Sequence, residues 1–246
     1  MDHMVYIAAS GAAESMLAQA VNTHNLANAS TPGFRADMLR AQSAYLNNGP
    51  VDSRVHSTQQ GLGVNLDKGT INATGRELDV AINGDGWMVV VGEDGVESLS
   101  RRGDLRVNGF GQITDGRGLQ VLGNGGPIAL RPYSSVEIGT DGTVSIVPLG
   151  EDATALAVVD RIRLVNPDDS ELFKGDNGLV QMTSGVMPLP DASVRVIPGA
   201  LETSNVDSVG AMVHMIELAR QFEMHTKMMK VAEQMDQRSS ELMKLG

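Results

Sequence analysis

Cysteine is absent from the 246-residue chain. Disulfides, thiolate nucleophiles and thiolate metal sites are therefore excluded. Aromatic residues make up only 3% of the sequence, with a single tryptophan, which speaks against an aromatic-lined substrate groove. The first 34 residues contain no lysine or arginine, so the basic n-region of a secretory signal is missing. No apolar run approaches the ~20 residues of a membrane span, so no membrane insertion is expected. Any export from the cytoplasm is expected to proceed without a cleavable Sec signal. No glycine-rich phosphate loop precedes a helix. Basic charge is scarce too: the net charge is −11, and residues 36–205 hold 13 basic against 22 acidic side chains. Such a surface argues against nucleic acid or an anionic membrane as partner.

What the sequence does have is glycine, 28 residues of it, a profile that suits a turn-rich β body packed with aliphatic side chains. The length allows one or two domains. Residues 4–28 are alanine-rich and almost uncharged, with bulk at Met16, Leu17 and Val21. They predict a helix whose apolar positions form no single stripe. Such a helix is either internal to a domain or ordered only inside an assembly. The second reading is favoured because nothing beside it in the sequence could cover it. Pro32 should stop this helix by about Ser30, and Gly33 can take the positive φ of a reversal, after which Phe34 offers an apolar anchor. Met38–Leu46 reads as a short helix or strand, Asn47-Asn48-Gly49-Pro50 as a turn, and Ser53–Asn65 as a projecting loop or hairpin.

From Lys68 strand signals dominate. Leu78, Val80 and Ile82 alternate with polar or small residues, Asn83-Gly84-Asp85-Gly86 is a tight turn, and Trp87–Val91 is a fully apolar strand in which Trp87 should be shielded. Turns are expected at Asp94-Gly95, Asn108-Gly109, Asp115-Gly116, Asn124-Gly125-Gly126 and Asp141-Gly142, with strands at Ala157–Val165 and Val194–Ile197. This is the pattern of an all-β sandwich or barrel-like body. The last element is a helix over Val206–Leu245, capped by Ser204 or Asn205 with Asp207 in its first turn. Val209, Met212, Ile216, Ala219, Phe222, Met229, Ala232, Met235 and Leu242 recur along it at spacings of mostly three and four, as in a coiled-coil seam. The many methionines of this helix suit an adaptable interface, or equally the core of an ordinary helix pair.

Catalytic and metal constellations are weak. The Asp-Gly turns lack the ligand series of a calcium loop and read as β-turn chemistry. Asp168-Asp169 beside Asn166-Pro167 reads as a solvated turn rather than a glycosidase pair. His214 and His225 are too far apart along one helix to share a metal. Arg101-Arg102 reads as a basic pair on the solvated face of a turn. No cofactor, metal or small-molecule substrate is expected.

Three blocks in order carry a family resemblance. Asn25-Leu26-Ala27-Asn28 followed by Thr31-Pro32-Gly33-Phe34, then Asp79-Val80-Ala81-Ile82-Asn83-Gly84-Asp85-Gly86-Trp87, then Gly199-Ala200-Leu201-Glu202-Thr203-Ser204-Asn205-Val206-Asp207 resemble the bacterial flagellar rod and hook proteins. The wording of Tyr6–Ala12 and Asn28–Thr31 is closest to the family's proximal-rod member. The resemblance implies a self-assembling, non-enzymatic rod subunit that transmits torque. It also implies export through the flagellar type III apparatus, other rod subunits and itself as partners, and the surrounding ring proteins as a candidate contact. In the family the Arg101–Leu105 stretch is structural. The fold expected is mixed and mainly β: a glycine-rich all-β domain flanked by terminal helices that pair as a coiled coil in the assembly. The expected segments are a 1–34 assembly helix, a 35–75 subunit-contact linker, a 76–200 body and a 201–246 assembly helix. The assembly interface is assigned to Ile7, Leu17, Val21, Leu26, Asn28, Pro32, Gly33, Phe34, Val209, Met212, Ile216, Ala219, Phe222, Met229, Ala232 and Met235. The rivals are a distal-rod subunit and a secreted carbohydrate-active β protein.

Overall fold

The computed structural model describes residues 2–45, 55–152, 155–175 and 177–244. The turn expected at residues 47–50 lies outside them. Helix α1 (Asp2–Ala27) opens the chain and helix α2 (Ser208–Lys244) closes it, and the described residues between them are β-rich.

The strands, in chain order, are β1 (Asp37–Tyr45), β2 (Val55–Val64), β3 (Ile71–Ala73), β4 (Val80–Asn83), β5 (Trp87–Val91), β6 (Glu97–Ser100), β7 (Arg106–Val107), β8 (Ile113–Thr114), β9 (Gln120–Gly123), β10 (Gly126–Pro127), β11 (Tyr133–Ile138), β12 (Thr143–Pro148), β13 (Ala157–Arg161), β14 (Leu164–Val165), β15 (Leu172–Lys174), β16 (Val180–Met182), β17 (Arg195–Pro198) and β18 (Ala200–Glu202). The chain forms two compact units. One holds residues 1–29, 37–63 and 206–246; the other holds 30–36 and 64–205.

In the β unit the main sheet runs β15-β16-β6-β5-β9-β8-β7, with β14 on β5 and β10 on β9; β11-β12-β13 form a second sheet, and β4 pairs β17 while β3 pairs β18. The predicted Asp-Gly and Asn-Gly turns fall between these antiparallel strands. Strand β5 sits at the centre and is buried on both faces, which is why its sequence runs apolar without alternation. Met88 and Val90 face the larger core with Ile82, Val121 and Ile146. Trp87 and Val89 face a smaller one with Leu99, Val165 and Val180. Trp87 is shielded, as its apolar strand implies. The strand expected over 157–165 is instead two, β13 and β14, and they join different sheets: Arg161 ends one, while Leu164 and Val165 pair with Met88 and Trp87.

In the helical unit α1 and α2 lie antiparallel. Asn22 near the end of α1 meets Ala211 near the start of α2, and Gly11 meets His225 further on. α1 is thus covered along one face by its own chain, though not by anything beside it in the sequence. The covering helix lies almost two hundred residues downstream, beyond the reach of local pattern. The segment after α1 is also a strand pair, β1 with β2. Helix α2 begins at Ser208, and its cap is Asp207 rather than Ser204 or Asn205. The Asp207 carboxylate accepts from Val209 N at 3.1 Å, satisfying a free donor of the first turn.

Candidate assembly interface and the neck of the β unit

The motif after α1 divides its work between the two units. Within the helical unit, the Asn25 amide behaves as a one-residue strand edge: its Nδ2 donates to Asp37 O at 2.9 Å and its Oδ1 accepts from Asp37 N at 2.8 Å. His24 Nδ1 adds a 2.7 Å hydrogen bond to the Asp37 carboxylate. Asn28 closes the helix, its side chain donating to His24 O at 2.9 Å. The start of β1 is thereby fixed to the end of α1.

Within the β unit, Ser30–Ala36 runs beside Ala200–Asn205. Gly33 adopts φ 65° and donates to Glu202 O at 2.8 Å. A side chain there would meet the Arg101–Arg102 backbone, with Arg102 N only 2.6 Å from the added carbon, so both the conformation and the close approach require glycine. Glu202 is 1% exposed. Its Oε1 accepts from Arg35 Nη2 at 2.7 Å and Gly69 N at 2.9 Å, and its Oε2 from Arg101 Nη1 at 3.0 Å. Arg101 also donates to the carbonyls of Gly86 and Gly84. Both guanidinium groups lie against Trp87, with Cζ at 5.4 Å for Arg101 and 5.8 Å for Arg35 from the ring centroid. Burial pulls the Arg35 guanidinium below its usual range, opposed by the Glu202 carboxylate. Asn205 completes this neck by accepting from Ala36 N and donating to the carbonyls of Asn65 and Asp67.

Arg101 is therefore buried, not on a solvated turn face. Its charge is met by a carboxylate 101 residues away, which no local reading can see. Arg102 pairs with Asp104 at 2.6 Å. The acidic turns are turn chemistry: Asp141 accepts from both the hydroxyl and the amide of Thr143, and the hydroxyl bond first of all holds its carboxyl below the usual range.

On α2 the least exposed positions are Ala211, Met215, Leu218, Phe222, His225, Met229 and Ala232, with Thr226 beside them; the first seven form one line. They alternate by four and three, the heptad spacing of a helix seam. Of the sequence-assigned residues, Phe222, Met229 and Ala232 lie on this line toward α1. Val209, Met212, Ile216, Ala219 and Met235 are exposed. On α1 the buried residues are small, Ala8, Ala12, Ser15 and Asn22, whereas Ile7 and Leu17 are exposed and Val21 and Leu26 half-buried. Pro32, Gly33 and Phe34 are half-buried in the neck, where Lys174 Nζ sits 4.7 Å from the Phe34 ring. Sequence reasoning missed Arg35, Arg101 and Glu202 as a group. It also missed the small-residue seam of α1, whose only signal was the heptad spacing of alanine, glycine and serine.

Two family models match the chain. Residues 81–146, from β4 through most of β12, match the flagellar hook protein FlgE/F/G D1 domain. Residues 197–242, covering β18 and nearly all of α2, match the flagellar basal body rod FlgEFG protein C-terminal family. Both place the chain among flagellar rod and hook proteins. Over the full length of both partners it is 37% identical to the flagellar basal-body rod protein FlgF of Salmonella typhimurium and likewise 37% identical to that of Escherichia coli. To the flagellar basal-body rod protein FlgG of Buchnera aphidicola subsp. Schizaphis graminum it is 27% identical, over 97% of this chain and 98% of that one. The chain belongs to the FlgF family of flagellar basal-body rod proteins, and it is a structural subunit of that rod.

Proposed function

We propose that the chain is a proximal-rod subunit whose α1–α2 pair packs, as a coiled coil, among the helices of neighbouring rod subunits. The observation that carries this is the inversion of side-chain size on α1, whose seam is small while Ile7, Met16 and Leu17 face outward, together with two exposed apolar lines on α2. Val209, Met212, Val213 and Ile216 are each more than half exposed, and their spacing of three, four and seven places them on one face of α2. A second such line is Met224, Met228, Val231 and Met235. Burying an aliphatic side chain of this size stabilises by about 1.5–3 kcal/mol, so contacts along these lines, repeated at every copy, hold a helical array together. A head-to-tail contact of this kind need not close on itself.

In this reading residues 1–34 and 201–246 are the assembly segments, 35–75 touches neighbouring subunits, and the 76–200 body faces outward, with the surrounding ring proteins as a candidate contact. The outward residues Ile7, Leu17, Val209, Met212, Ile216 and Met235 meet neighbours, whereas Phe222, Met229 and Ala232 hold the pair. The roles are packing rather than chemistry. Torque passes through the array, and export uses the flagellar type III apparatus. The higher identity to FlgF than to FlgG supports the proximal over the distal position.

The test is the double variant Met212→Ala/Ile216→Ala. Its circular dichroism should match the wild type, while basal bodies recovered from cells carry no complete rod and swimming is lost. Normal rods from this variant would remove the outer face of α2 from the mechanism.

A further inference from the structure

We propose that Gly11 and His225 form a lock that sets the register of the α1–α2 pair and selects which helix α1 accepts. Gly11 is the sole glycine of α1, and it lies opposite the single histidine of the α2 seam. A methyl group added at Gly11 would stand 2.8 Å from Nδ1 and 2.9 Å from Nε2 of His225, so the imidazole would have to leave its place for a Cβ to fit. Nδ1 of His225 is buried without a hydrogen-bond partner among the described residues. The ring is therefore held by shape: it occupies the space that a side chain of α1 would otherwise fill.

The neighbours of Gly11 on the same face show what a slip would do. Moving α2 by one turn would set the ring against Ala8 or Ser15, and a full heptad would set it against Met4 or Ala18. Every one of these carries a Cβ where Gly11 has none. At the other end of the pair buried Asn22 donates to Ala211 O at 2.7 Å, but a main-chain carbonyl recurs at every turn of α2, so this bond fixes the helices together without choosing their register. Ser15 does not choose it either, because its hydroxyl is already spent on Gly11 O at 2.9 Å. The rest of the α1 seam is small and would accept many helices. Discrimination therefore rests on the one position where a ring needs a missing Cβ, the helical counterpart of a polar residue that specifies pairing. The partner chemistry is thus stated: a helix that offers an imidazole at the heptad position facing Gly11. The lock holds whether or not the outer apolar lines are the rod interface.

The full chain and three variants test it: Gly11→Ala, His225→Ala and the double variant, each melted with the helical circular dichroism signal as readout. Helix propensity alone raises the melting temperature on replacing an internal glycine by alanine, in either background. The lock expects the opposite sign in the wild-type background, a fall of roughly 5 °C from overpacking, and a rise only when His225 is already alanine. The same sign in both backgrounds would overturn it. Should Gly11→Ala fail to fold, the double variant decides: recovery of the helical signal supports the lock, and no recovery overturns it.

Discussion

In the β unit the fully buried side chains are large: Met88, Val89, Val90, Leu105, Ile113 and Leu164 have almost no exposure. In the helical unit the buried residues of α1 are Ala8, Ala12, Ser15 and Asn22, and the large ones, Tyr6, Ile7, Met16 and Leu17, are turned out. The β unit closes a core of large side chains on itself, with single apolar residues such as Phe110, Leu149, Val158, Val186 and Leu189 left exposed around it. In the helical unit α1 offers small side chains to the larger ones of the α2 seam, Leu218, Phe222 and Met229, and both helices leave other large apolar side chains exposed. What differs is less the amount of apolar surface than where its closure comes from.

The largest expected effect lies at the neck of the β unit. Glu202→Ala would leave two buried guanidinium groups without their carboxylate, a loss of about 3–5 kcal/mol. Urea unfolding of purified protein, followed by the β signal in circular dichroism, should show a lowered midpoint. An unchanged midpoint would mean that the β unit does not depend on the triad.

Next comes one substitution made in both regions. Phe222 is half-buried in the helix seam, and Phe110 is 89% exposed on a β turn. Phe222→Ala should cost about 2–3 kcal/mol, below the range for a fully buried phenylalanine, and should appear in the helical melt. Phe110→Ala should cost less than ~0.5 kcal/mol. Equal effects would erase the distinction between seam and surface.

The smallest effect concerns Asp115. Its Oδ1 accepts from the amides of Arg117 and Leu119, and its buried Oδ2 has no hydrogen-bond partner among the described residues. Burial pushes this carboxyl above its usual range, against the pull of those amide bonds. The folded state therefore favours the protonated form, and stability falls as pH rises from the unfolded-state value through the folded one. Asp115→Asn keeps both amide bonds and removes the buried charge. It should be slightly more stable than wild type at neutral pH, with the difference shrinking in acid. A midpoint difference that does not change with pH would refute it.

Much of the β unit was legible because its signals are local. The Asp-Gly turns, the apolar run of Trp87–Val91 and the Pro32-Gly33 reversal each act within a few residues. The helix boundaries were legible to within a few residues, although the cap of α2 moved to Asp207 because Asn205 is engaged with Ala36, Asn65 and Asp67. What could not be read was long-range. Arg101 looked like a surface residue until Glu202 arrived from the far end of the chain. The direction of each apolar residue on α2 was ambiguous because it carries three apolar lines, one toward α1 and two outward, which spacing alone merges into one irregular set. The α1 seam escaped notice because its information lies in side chains that are missing.

Trp87 has the guanidinium groups of both Arg35 and Arg101 against its ring, and the chain has no other tryptophan. Its fluorescence is consequently an optical gauge of one locality. Emission will follow the loosening of the neck and the core behind it, and helical dichroism will follow α1 and α2. The two signals read in one melt assign each transition to its own unit.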